Sequence, residues 1–164
     1  MRGAWLCSRA LALPDPPEHC VSRYVVRVRF CETDLMGIVH HASYLPYFEA
    51  GRVEYMHRRG MDYLSWTQRG VHLPVISAEL RYKRTARFDE LLVVETRLGL
   101  LRRVRMRFDY RALRSVDGSP DELIAEGSTE LACVGDDHRP RAMPADILEL
   151  LLSAETHPRP IDQV

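Results

Sequence analysis

Beyond Pro74 the apolar residues of this chain recur at every second position through four consecutive segments. These are "SAELRYKR" (77–84), "ELLVVETRLGLL" (90–101), "RVRMRFDYRAL" (103–113) and "ELIAEGSTELACV" (122–134). A period of two places alternate side chains on opposite faces of an extended backbone, so the four segments predict four strands. In the third, Val104, Met106, Phe108 and Tyr110 form an inward row, while Arg103, Arg105, Arg107 and Asp109 point outward. "RFDE" (87–90) is a tight connection, and "SVDGSPD" (115–121) carries strong turn chemistry. The same alternation occurs once before Pro74, in "YVVRVRF" (24–30). There Tyr24, Val26, Val28 and Phe30 share the inward face opposite Arg27 and Arg29.

Between these stretches the period changes. Tyr44, Phe48, Gly51 and Tyr55 are spaced to make one stripe on a helix running from about Ser43 to Arg59. Pro46 is compatible with that helix because it falls in the first turn, and Gly60 supplies the stop. Residues 62–69 predict a short helical piece, "GDDHRPRAMP" (135–144) a loop, and "ADILELLL" (145–152) a closing helix. One strand, a long helix, four strands and a short helix predict an α+β fold with an antiparallel sheet. The helix packs on one face of the sheet. The Arg-rich face is either solvated or contacts a partner.

With 164 residues the chain forms one domain large enough to bury a core. The expected organisation is a flexible extension over 1–22, with "PDPPEH" as a stiff spacer, a folded domain over 23–153, and a tail over 154–164. The start, "MRGAWLCSRALALP", faintly resembles a signal peptide, but Arg9 interrupts it and no cleavage site follows. A net charge of zero gives no overall drive toward nucleic acid or anionic membranes. The middle of the chain is nonetheless basic: Arg81–Arg114 holds eleven Arg/Lys against four Asp/Glu, which suits an anionic ligand. No apolar run is long enough to span a bilayer. Cys7, Cys20, Cys31 and Cys133 show neither CxxC pairing nor metal spacing, which predicts a reduced, cytoplasmic protein with no metal site.

The candidate chemistry lies in "ETDLMGIVHHASY" (32–44). Asp34 has two readings. It is a turn former, or it is a carboxylate beside the free N–H groups of a helix start, where an oxyanion is stabilised and the acid attacks a carbonyl or activates water. On the second reading Gly37 lets the backbone approach a ligand closely. His40 and His41 are adjacent in an extended loop and poorly placed to chelate one ion. A His at the mouth of a pocket, acting by its backbone N–H or a hydrogen bond, fits better. Arg102 and Arg103 form either a solvated hairpin tip or a phosphate clamp. Glu49 and Glu54 are better explained as exposed or paired with Arg52, Arg58 or Arg59 than as catalytic groups. No nucleophile elbow, Walker loop or dinucleotide fingerprint occurs, and the basic stretch lacks the aromatic interleaving of a nucleic-acid platform.

"RVRFCETDLMGIVHHASYLPYFEAGRVEYM" closely resembles the opening of the 4-hydroxybenzoyl-CoA thioesterase family of hotdog-fold proteins, most of all its Tol-Pal-associated acyl-CoA thioesterase branch. The family pattern of two acids, a glycine, a His or Tyr and a Ser or Asn before a Tyr reads here as Glu32-Thr33-Asp34, Gly37, His41 and Ser43-Tyr44. The first acid is Glu where the family has Asp. "ELRYKRTARFDELLVVET", "LLRRVRMRFDY" and "RPRAMP" extend the resemblance from about Arg23 to Leu152. It implies a five-stranded antiparallel sheet wrapped around one long central helix, in dimers joined edge to edge and often paired into tetramers, with active sites at the dimer interface. It further implies hydrolysis of an acyl-CoA thioester without a cofactor. Asp34 and His41 would be catalytic, Gly37 and Tyr44 would lie at the substrate, and Arg102 and Arg103 would hold the CoA phosphates. An aromatic or naphthoyl-CoA substrate, an enoyl-CoA hydratase and a non-catalytic acyl-CoA or acyl-carrier binding module are the competing readings.

Overall fold

The computed structural model describes residues 20–116 and 119–155. Most of the expected N-terminal extension, the tip of the "SVDGSPD" turn and most of the expected C-terminal tail lie outside them. The strands are β1 (Val21–Arg27), β2 (Val75–Tyr82), β3 (Leu91–Leu101), β4 (Arg105–Val116) and β5 (Ser119–Ala132). The helices are α1 (Tyr44–His57), α2 (Tyr63–Gln68) and α3 (Ala145–Leu152). All strand pairs are antiparallel and the sheet order is β1-β3-β4-β5-β2. β1 begins at Val21, ahead of the expected boundary at Arg23.

The two periods read from the sequence meet at the interface between α1 and the sheet. Tyr44, Phe48, Gly51 and Tyr55 are all buried, as their spacing requires. Phe48 stacks on Tyr110 of β4 with ring centroids 4.7 Å apart, and Tyr55 meets Phe108 edge-on at 5.2 Å. Gly51 sets how closely the helix approaches β3: a Cβ there would stand 2.5 Å from Thr96 Oγ1 and 2.8 Å from Val94 Cγ1. The glycine is therefore a packing requirement in mid-helix, where it otherwise costs about 1 kcal/mol relative to Ala. Gly60, at φ +70°, ends the helical segment.

The outward face of the sheet carries the charged row as a lattice of ion pairs. Arg23 and Arg111 share Glu95, Arg105 meets Glu130, and Arg107 meets Asp109. One expectation fails. The alternation places Phe30 on the inward row of the first strand, but the residue is 78% exposed. The β1–β3 ladder ends at Arg27 opposite Leu91, and Phe30 begins a 3₁₀ turn, Phe30–Glu32, so the alternation no longer governs its direction. It lies against the exposed Phe88 ring at 5.8 Å instead. At the other side of the sheet, β2 is an edge strand with no partner beyond β5 among the described residues. No helix among these residues is long and apolar enough to cross a membrane. Cys20, Cys31 and Cys133 carry no disulfide.

Candidate active site

After the 3₁₀ turn the chain makes a tight hairpin. Thr33 and Val39 bridge in antiparallel fashion, the Asp34 N–H donates to the Ile38 carbonyl at 2.9 Å, and the Gly37 N–H donates to the Asp34 carbonyl at 2.9 Å. A three-residue hairpin loop of this kind needs a left-handed residue at its end, and Gly37 has φ +72°. A Cβ at Gly37 would meet nothing within 4 Å, so the demand for glycine is already met by backbone conformation.

The two carboxylate oxygens of Asp34 differ in their surroundings. Its Oδ1 accepts the Met36 N–H at 2.8 Å, which is the turn-forming role. Its Oδ2 has no hydrogen-bond partner among the described residues and remains available for chemistry.

Glu32, two residues earlier, is 7% exposed and ties three elements together. Its Oε2 accepts from the Arg29 N–H at 2.8 Å and from the Tyr47 hydroxyl at 2.7 Å, and its Oε1 accepts from the Arg29 guanidinium at 2.6 and 2.8 Å. Its carbonyl accepts the His40 N–H at 2.8 Å and the Ser43 hydroxyl at 3.2 Å. Burial alone would raise the Glu32 pKa, but the hydrogen bonds from Arg29 and Tyr47 outweigh it and hold the carboxyl below its ordinary range. Burial together with the neighbouring carboxylate pushes the Tyr47 phenol well above its ordinary value, so it stays a neutral donor.

A 3₁₀ turn, His41–Ser43, precedes α1 and starts the helical segment slightly earlier than the sequence predicts. His41 is the first residue of that turn, so its N–H has no acceptor within it. The rings of His40 and His41 lie 4.0 Å apart, both residues are exposed, and His40 Nδ1 caps the turn by accepting the Ala42 N–H. Asp34, His41 and Tyr44 line one pocket of about 160 Å³ together with Tyr82, Arg84 and Thr85. The Tyr82 hydroxyl donates to the His41 carbonyl at 3.0 Å. Burial, with Tyr82 and Glu90 nearby, pushes the Tyr44 phenol up to about 12. Tyr82, Arg84 and Thr85 escaped the sequence reading because they come from the far side of α1 in the chain. The one signal for Tyr82 is its place in the alternation of β2.

Arg102 and Arg103 are exposed at the β3–β4 hairpin, where Arg102 donates to the Leu101 carbonyl and the Arg103 carbonyl accepts the Met143 N–H. They stand at the opposite end of the sheet from the Asp34 pocket: the hairpin tip follows Leu101, whereas Tyr82 of the pocket lies in register with Ala125, Ala112 and Val94. Glu54 pairs with Arg58 at 2.9 Å, in keeping with its expected structural role. Glu49 lines a second, larger cavity of about 380 Å³ between α1 and the start of β2, with Arg52, Val53, His57, Tyr63 and Val75.

A five-stranded antiparallel sheet packed on one central helix is the hotdog architecture of solved thioesterase structures. Residues 28–151 match the Thioesterase-like superfamily, and the chain belongs to it. It is 40% identical over 119 residues to the putative acyl-CoA thioesterase YneP of Bacillus subtilis, spanning 70% of this chain and 80% of that one. It is 28% identical over 127 residues to the acyl-CoA thioester hydrolase YbgC of Escherichia coli, spanning 77% and 92%. The crystal structure of a DHNA-CoA thioesterase from Staphylococcus aureus superposes with a TM-score of 0.73 at 28% identity, covering 79% of this chain and 87% of that one.

Proposed function

We propose that the chain hydrolyses acyl-CoA thioesters to a free acid and CoA at the Asp34 pocket. The observation that carries this reading is the convergence of the uncommitted Asp34 Oδ2 with the start of the α1 segment at His41. The His41 N–H would donate to the thioester oxygen as negative charge develops there. Asp34 then acts in one of two ways. It attacks the carbonyl carbon, the C–S bond breaks, CoA leaves as thiolate, and water hydrolyses the mixed anhydride. Alternatively it takes a proton from water, which attacks the carbonyl carbon directly. The names of the YneP and YbgC relatives support acyl-CoA as the substrate class, and acyl-CoA chemistry fits a cytoplasmic location.

The same reading includes a dimer joined through β2, alone or paired into a tetramer. An exposed edge strand favours pairing with a second copy, and Val75, Ile76 and Tyr82 leave apolar surface along this one. Two-fold pairing of identical edges is antiparallel. It would set the Tyr82 end of one strand, which lines the Asp34 pocket, beside the Val75 end of the other, which lines the larger cavity. Because Val75 pairs with Leu131 and Leu131 with Met106, that second end is also the end of the Arg102–Arg103 hairpin. The larger cavity and the phosphate clamp of one copy would thus serve the Asp34 pocket of the other.

The deciding experiment is release of free thiol from acetyl-, octanoyl-, benzoyl- and 4-hydroxybenzoyl-CoA. Turnover of at least one of them, abolished in Asp34→Asn, supports the reading. Binding of all four without thiol release would make the chain a binding module and overturn it.

A further inference from the structure

We infer that Glu32 is a positioning residue for hydrolysis, and that it sets the distance between the Asp34 carboxylate and the His41 N–H through its contacts with Arg29, Tyr47, His40 and Ser43. The inference rests on the reading of Asp34 and His41 given above and goes beyond it, since Glu32 does not line the pocket.

The two reacting groups sit on different pieces of chain. Asp34 is on the first arm of the hairpin, and His41 begins the turn into α1. One residue is bonded to both pieces and to the helix. The Glu32 carbonyl takes the His40 N–H, immediately before His41, and the hydroxyl of Ser43, the last residue of the 3₁₀ turn. Its carboxylate takes the Tyr47 hydroxyl from the first turn of α1 and the Arg29 N–H and guanidinium from the exit of β1. The Glu32 side chain spans from the 3₁₀ turn before the hairpin to a phenol already on the helix. A carboxylate held by this many donors has one favoured orientation, and Asp34 follows it by only two residues. Small displacements of a reacting group are costly to rate even where substrate still binds. The loss on cutting these contacts should therefore fall on turnover and not on substrate binding.

The test uses Glu32→Gln, Tyr47→Phe, their double variant and Asp34→Asn in the full chain, assayed by thiol release from whichever of the four CoA thioesters the wild type turns over fastest. Tyr47→Phe removes only the tie to the helix and keeps the Arg29 contacts, so it carries the test if Glu32→Gln fails to fold. Expected is a fall in kcat of about tenfold in each single variant with KM within about twofold. The double variant should lose less than the product of the two single losses, because both act on the Glu32 carboxylate. Unchanged kcat in folded single variants, KM rising in step with any loss of kcat/KM, or losses that multiply in the double variant would each overturn the inference. If Asp34→Asn abolishes turnover while the Glu32 and Tyr47 variants do not affect it, only the positioning role fails. If Asp34→Asn remains active, the reading of the site and the positioning role fall together.

Discussion

The Tyr82 hydroxyl donates to the main-chain carbonyl of His41 at 3.0 Å, which joins the last residue of the edge strand to the first residue of the turn that opens α1. The ring of Tyr82 also lies 5.5 Å from that of Tyr44. The end of β2 thereby forms one wall of the Asp34 pocket, and anything that moves the edge strand moves the proposed carbonyl-polarising group. Tyr82→Phe keeps the ring contact and removes the hydrogen bond. A neutral hydrogen bond contributes about 0.5–1.5 kcal/mol, and half-exposure favours the low end of that range. We expect kcat/KM to fall about twofold to fivefold with the melting temperature nearly unchanged. Steady-state kinetics beside a thermal melt check this, and a large stability loss without a kinetic effect would assign Tyr82 to the fold alone.

Asp34→Asn leaves an oxygen to accept the Met36 N–H, so the turn should persist while the charge is lost. A nucleophile or general base is worth roughly 10²-fold or more in kcat, and a loss of that size with intact folding is expected. Single-turnover hydrolysis in ¹⁸O-labelled water then distinguishes the two mechanisms. Unlabelled first product, with the label left on Asp34, indicates attack by Asp34 itself and opening of the anhydride at the Asp34 carboxyl; labelled product indicates delivery of water to the acyl carbon. Near wild-type turnover would leave Asp34 as a turn former only.

Replacing Arg102 and Arg103 together by Ala should raise KM for a CoA thioester about tenfold or more and change kcat less. Hydrogen bonds to charged groups contribute about 1.5–3 kcal/mol each before solvent exposure reduces them. A pantetheine thioester lacks the nucleotide phosphates and should be insensitive to the change. An equal effect on both esters would remove the clamp. Because the hairpin would serve the partner's pocket, mixing this variant with Asp34→Asn should give heterodimers that hold one unimpaired site.

The Glu32 carboxyl titrates below its ordinary value of 4.5 in the fold. A carboxyl with a depressed folded pKa adds stability that is fully present above its unfolded pKa and is lost as the pH falls through the folded one. The melting temperature of the wild type should therefore drop more steeply below about pH 4.5 than that of Glu32→Gln, with the two curves running parallel above it. Differential scanning calorimetry across that range reads the difference, and curves parallel throughout would mean that Glu32 does not stabilise the fold electrostatically.

Periodicity and local chemistry were enough to determine the order of elements. The apolar rows of β3, β4 and β5, the Tyr44-Phe48-Gly51-Tyr55 stripe and the turn at Gly37 depend on residues close in sequence, so their spacing alone specifies them. The motif around Asp34 was visible for the same reason. Where local rules end, the sequence was silent or misleading. Phe30 continues the alternation of β1 but points outward, because the ladder that would have held it stops at Arg27. Glu32 looked like a minor variation on an acidic position, and only the fold shows it buried and bonded to Tyr47. Tyr82, Arg84 and Thr85 reach the pocket because β2 pairs with β5 and returns its end to the start of α1. Arg102 and Arg103 stand at the opposite end of the sheet from Asp34, because an antiparallel hairpin places its tip away from its base. Contacts of this kind come from strand register and the path of the chain between elements, which side-chain spacing along the sequence does not encode.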